Sequence, residues 1–142
     1  MSEAAHKHTI LYAEDDPDDL FMVQQAFQQY DQEVTLVHAA NGFETLEQLR
    51  ADYSKNSLPC LVILDINMPG MNGKETLIRI KQAEDLQNIP VVLFTTSSSD
   101  TDKAFARKWE APLITKPLMY SELEQLAKTF LALCASEVSE KV

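Results

Sequence analysis

Several polar residues stand where short apolar runs end, and together their types suit phosphoryl transfer. Glu14, Asp15 and Asp16 follow residues 9–13 (TILYA), and Asp65 with Asn67 follows residues 60–64 (CLVIL). Thr95 and Thr96 follow residues 90–94 (PVVLF), and Lys116 follows residues 113–115. Carboxylates gathered at one place repel, and a hard divalent cation relieves that; Mg²⁺ prefers carboxylate, carbonyl and water oxygens. A carboxylate nucleophile can take a phosphoryl group as an acyl phosphate. A lysine ammonium can bind one phosphoryl oxygen, and a threonine hydroxyl can donate to another. Each residue alone has a plainer reading. The acids suit a helix N-terminus, Asp65 an N-cap or turn, the Thr-Ser run a turn and cap cluster, and Lys116 a surface loop. What argues against four separate plain readings is that all four fall at strand ends.

Those positions matter only if the runs are strands of one sheet. Residues 18–30 carry Leu20, Val23 and Phe27 at helical spacing. Residues 34–38 read as a second strand and residues 43–49 as a second helix, entered through the Asn41-Gly42 turn. Residues 60–64 form a continuous apolar run, as a strand covered on both faces requires. Residues 74–83 read as a third helix, 90–94 as a fourth strand and 100–109 as a less regular helix. Residues 113–115 read as a short fifth strand and 121–133 as the clearest helix, with a capping box expected at Ser121 and Glu124. Helices between short buried strands imply parallel pairing and a doubly wound α/β sheet. In such a sheet ligands bind beyond the carboxyl ends of the strands, which is where the polar residues lie.

The chain has 142 residues and suits one domain over 9–134, with polar tails at 1–8 and 135–142. A formal charge of -10 argues against nucleic acid or an anionic membrane as partner. No apolar run approaches a membrane span. Cys60 and Cys134 have no metal spacing, and Cys60 reads as a buried free thiol, which with the absence of a signal segment leads us to expect a cytoplasmic protein. Only 3 glycines are present, with no Gly-rich phosphate loop. His6, His8 and His38 receive no role.

At this point the residues resemble a known family, the receiver domain of two-component response regulators. Residues 65–73 (DINMPGMNG) are similar to its D-x-x-M-P-x-x-x-G signature. Glu14-Asp15 resembles its acidic pair, Thr95 its switch threonine, and Lys116-Pro117 its lysine with a following proline, commonly joined by a cis bond. The resemblance covers residues 8–134. It implies a flavodoxin-like, five-stranded parallel sheet in the order 2-1-3-4-5 with helices on both faces. It implies that Asp65 is phosphorylated by a sensor histidine kinase or phosphotransfer protein. Asp15, Asp65 and the backbone carbonyl of Asn67 would hold Mg²⁺, with Glu14 beside them or acting through water. Thr95 and Lys116 would engage the phosphoryl group, and Asn67 and Ser97 would tune dephosphorylation.

The chain is also similar to stand-alone chemotaxis-type regulators and, through residues 14–19 (EDDPDD) and 89–92 (IPVV), to those paired with bacterial phytochromes. It would then signal to an unidentified downstream protein, through Phe105, Trp109, Leu113 and Tyr120, with a homodimer left open. Two features depart from the family: Leu113 stands at its usual aromatic position, and residues 109–112 (WEAP) lack its customary Gly-Ala. Two rivals stand beside this reading. One is a receiver fold that binds partners without phosphate. The other is a Mg²⁺-dependent aspartyl-phosphate phosphatase, whose D-x-D motif does not match Asp65-Ile66-Asn67.

Overall fold

The computed structural model describes residues 8–96 and 99–140, with the side chains of 135–140 outside the description. Five strands alternate with five helices: β1 His8–Ala13, α1 Pro17–Gln28, β2 Val34–Ala39, α2 Gly42–Ser54, β3 Leu61–Asp65, α3 Gly73–Gln82, β4 Val91–Thr95, α4 Asp100–Lys108, β5 Leu113–Thr115 and α5 Tyr120–Glu140. All strands pair in parallel, in the order β2-β1-β3-β4-β5. This is the expected doubly wound sheet.

Strand alternation splits the core in two. Leu11, Ala13, Val62, Leu64, Val91 and Leu93 face one cluster, completed by Leu46, Leu49, Leu77, Ile80 and Ala106 of α2, α3 and α4. Ile10, Tyr12, Leu61, Ile63, Val92 and Phe94 face the other, with Val23, Phe27, Leu123, Ala127 and Phe130 of α1 and α5. Every residue of β3 is buried, as its unbroken apolar run requires. Rings in the second cluster form a chain: Phe27 stacks on Phe130, Phe130 meets Phe94 edge-on at 5.9 Å, and Phe94 meets Tyr12 at 6.3 Å. The chain ends beneath the polar residues described below.

Boundaries correct the sequence reading in several places. Asp65 and Thr95 are the last residues of their strands, because their backbones still pair: Asp65 opposes Phe94 and Thr95 opposes Thr115. Helix α5 starts one residue early, since the Met119 carbonyl accepts from Leu123, so Ser121 lies inside the first turn and is not its cap. It also runs to Glu140, through residues expected to be a tail. No peptide bond is cis among the described residues, so Lys116–Pro117 is trans, the default even before proline. Ser97 lies outside the described residues. Cys60 is not a free thiol: it is disulfide-bonded to Cys134 of α5, 74 residues on, with Cα atoms 5.1 Å apart. The pairing depends on α5 packing across the start of β3, which no local pattern announces. The cysteines therefore give no support to a reducing compartment.

The segment without Gly-Ala is also explained. Helix α4 ends in a Schellman motif: Glu110 N–H donates to Arg107 and Ala111 N–H to Ala106. Glu110 occupies the left-handed position at φ 55°, where glycine is usual. Glu110→Gly is expected to raise stability by about 1 kcal/mol, the strain removed. A urea midpoint that does not rise would show that Glu110 carries no such strain.

Candidate functional site

The parallel register brings the carboxyl ends of β1, β3, β4 and β5 together. Asp65 ends β3 and is 3 % exposed; Thr95 ends β4 and is equally buried. Lys116 follows β5, held by its backbone N–H on the Thr95 carbonyl at 2.6 Å. Glu14 follows β1 with its N–H on Ala39, the last residue of β2, and is buried. Asp15 next to it is exposed.

Hydrogen bonds fix this set. Glu14 Oε1 accepts from the Tyr12 hydroxyl and, at 2.8 Å, from Lys116 Nζ; its Oε2 accepts from Asp16 N–H at 3.3 Å. Lys116 Nζ also meets Asp19 Oδ2 at 2.8 Å and Asp65 Oδ1 at 3.5 Å, and lies 5.6 Å above the Phe94 ring. Exposed Asn67 donates its N–H to Asp65 Oδ1 at 3.4 Å. The loop into α3 carries the rest of the signature: Gly70 is left-handed at φ 73°, and Asn72 caps α3 in a full capping box with Glu75.

Burial pushes the Asp65 carboxyl up to about 7, and the hydrogen bond and charge of Glu14 add to that; Lys116 and the Asn67 N–H pull the other way. Burial draws the Lys116 ammonium down, but Asp19, Glu14 and Asp65 more than offset it, leaving its pKa above the usual lysine range. Burial, then Glu14, raises the Tyr12 phenol, which therefore stays a donor.

Glu14, Asp15 and Asp65 each offer a carboxylate oxygen, all within 4.8 Å of one another. Hard oxygen donors at that separation, with Asp15 open to water, fit a divalent cation such as Mg²⁺ after a small contraction.

Sequence reasoning thus named Glu14, Asp15, Asp65, Thr95 and Lys116 correctly as neighbours. It missed two contacts. Asp19 reads as an ordinary acid in the first turn of α1, yet it reaches Lys116. His38 reads as packing, yet its Nε2 lies 2.7 Å from the Glu14 carbonyl and braces the loop after β1. The expected interaction residues divide. Phe105, Trp109 and Leu113 are half-buried against the core, with Lys74 over the Phe105 ring at 5.4 Å. Tyr120 is exposed, and beside it Leu118 and Met119 are more so, at 97% and 63%.

Residues 10–128 match the family model for the response regulator receiver domain. The chain is 34% identical over 126 residues to the probable methanogenesis regulatory protein FilR2 of Methanothrix harundinacea, covering 87% of this chain and 81% of that one. The structure is similar to that of the phosphorylated cyanobacterial phytochrome response regulator RcpA, with a TM-score of 0.79, 30% identity, and coverage of 88% and 91%. It is also similar to the Mn²⁺-bound form of response regulator Rcp1, at a TM-score of 0.75 and 29% identity, covering 86% and 90%. No helix among the described residues is long and apolar enough to cross a membrane. A sheet in the receiver order, a buried aspartate at the end of β3 and a matching family model over most of its length together place this chain in the response regulator receiver domain family.

Proposed function

We propose that this chain is a phosphoacceptor switch. Asp65 takes a phosphoryl group from a sensor histidine kinase or a histidine phosphotransfer protein, with Mg²⁺ bound, and the phosphorylated domain signals by contact with a downstream protein. The observation that carries this reading is the setting of the Asp65 carboxyl: buried, at a strand end, 3.5 Å from Lys116 Nζ and within one cluster with Glu14 and Asp15.

An Asp65 oxygen attacks phosphorus, the P–N bond to the donor imidazole breaks, and its electron pair leaves with the imidazole. Lys116 draws in one phosphoryl oxygen as a point charge, and the Thr95 hydroxyl donates to another. Asp15, Asp65 and the Asn67 carbonyl would hold the cation. Glu14 acts through water, because Tyr12, Lys116 and the Asp16 N–H already engage both its oxygens. When bound, Mg²⁺ neutralises charge on the acceptor and phosphoryl oxygens. The domain is no turnover enzyme in this reading. A cytoplasmic setting follows from the ATP-fed kinase that must supply the phosphoryl group. Exposed Leu118, Met119 and Tyr120, next to Lys116 in sequence, are where a partner would sense the change.

Incubation with Mg²⁺ and acetyl phosphate, followed by intact-mass measurement, tests the chemistry. Wild type is expected to gain one phosphoryl adduct, which does not form when chelator replaces Mg²⁺ and is absent in Asp65→Asn. Absence of both this adduct and a beryllofluoride complex would leave a phosphate-independent interaction module.

A further inference from the structure

Helices α1 and α3 open in the same way and end up differently. Each has an acidic or amide N-cap, Asp16 or Asn72, with an acid three residues on, Asp19 or Glu75. In α3 the acid turns back onto the N-cap N–H and completes the box. In α1 it does not. The Asp16 N–H goes to Glu14 Oε2, and Asp19 is turned across the site to Lys116 Nζ at 2.8 Å. That ammonium lies nearer to Asp19 and Glu14 than to Asp65, at 3.5 Å. Asp19 is held in place by the helix behind it, because Asp16 Oδ1 caps both the Asp18 and Asp19 N–H groups and Pro17 sets the first turn.

We propose that Asp19 is a positioning residue that holds the Lys116 ammonium closer to itself than to Asp65 in the resting domain, so that phosphorylation must withdraw the lysine from this carboxylate. The inference rests on the phosphoacceptor reading above. An incoming phosphoryl group competes with Asp19 for the same cation, and Asp19 therefore sets how readily the site is occupied. Glu14 remains as second partner, so loss of Asp19 frees the lysine without stranding it.

The test compares Asp19→Asn, Asp19→Glu and Asp18→Asn with wild type, by beryllofluoride affinity and by the rate of phosphorylation with acetyl phosphate. Asp18 is the neighbouring exposed acid, and its backbone N–H donates to the cap at Asp16 Oδ1. Asp19→Asn is expected to raise both quantities about threefold, the size of one partly exposed ion pair lost from the resting state. Asp19→Glu, which keeps the charge within reach of Lys116, is expected to stay near wild type, as is Asp18→Asn. Equal values for Asp19→Asn and wild type would overturn the proposal. So would an equal rise in Asp18→Asn, which would assign the effect to net charge. A wild type that takes neither phosphoryl nor beryllofluoride overturns the phosphoacceptor reading itself, and this inference with it.

Discussion

Asp65→Asn is expected to stabilise the metal-free protein by about 3 kcal/mol at pH 8 and by almost nothing at pH 3.5. The sign follows from the direction of the shift. Asp65 sits at about 7 in the folded chain against 3.8 for an ordinary aspartate. Below the unfolded value the carboxyl is protonated in both states and contributes no difference. Between 3.8 and 7 the unfolded chain releases its proton while the folded one retains it, so stability falls as pH rises. Above 7 the full cost is present, because a charge is then buried beside Glu14. That displacement amounts to about 4 kcal/mol with the Lys116 attraction already included, and asparagine, itself polar when buried, recovers about 3 of it. Asparagine removes the charge and retains a donor toward Glu14. Urea unfolding in chelator at pH 3.5, 6 and 8 measures the difference between the two proteins. A gap that does not widen with pH would show that Lys116 keeps Asp65 ionised throughout. Added Mg²⁺ at pH 8 is expected to stabilise wild type and to leave Asp65→Asn nearly unchanged, since only the native wild-type cluster binds the cation well.

What the sequence made legible was whatever one strand end could announce. Asp65, Thr95 and Lys116 each follow an apolar run, and once parallel pairing is granted their convergence is forced. The strand order came from the resemblance to the receiver family, and the structure has that order. Contacts across the fold were not. Asp19 carries the ordinary signature of a first-turn acid, which favours the helix dipole in any protein. Only the way the chain passes from β1 into α1, at the carboxyl end of the sheet, turns it to Lys116. Cys60 and Cys134 are joined by the length of α5, whose polar end suggested fraying where the helix in fact continues. Residues 109–112 lacked the expected glycine, yet the chain keeps the same turn and forces Glu110 into it. Phe105, Trp109 and Leu113, read as a candidate contact face, are half-buried and cover the edge of one core cluster.

Gly73→Ala is expected to cost about 3 kcal/mol and to slow phosphorylation, although residue 73 contacts no substrate in the proposed mechanism. Gly73 opens α3 directly against the backbone that carries Asp65. Its N–H donates to the Ile66 carbonyl at 3.0 Å. An added Cβ would overlap the Asp65 carbonyl oxygen and lie 2.9 Å from both the Asp65 carbonyl carbon and Ile66 Cα. Those are backbone atoms pinned by the sheet, since Ile66 N–H is bonded to the Phe94 carbonyl, so no rotamer change relieves the clash. Either α3 lifts from its core contacts at Leu77 and Ile80, or the end of β3 is pushed toward Lys116. Gly70 makes the contrast. Its Cβ would meet only the Phe43 ring at 3.5 Å, and the penalty there is conformational, about 1 kcal/mol at φ 73°. The two substitutions are separated by urea unfolding and by the phosphorylation rate with acetyl phosphate. Gly73→Ala should lower both, and Gly70→Ala chiefly the first and by less. The reverse order would mean that the signature glycine serves the loop's flexibility. The expected order makes it a spacing device, there because the Asp65 carbonyl leaves no room for a side chain.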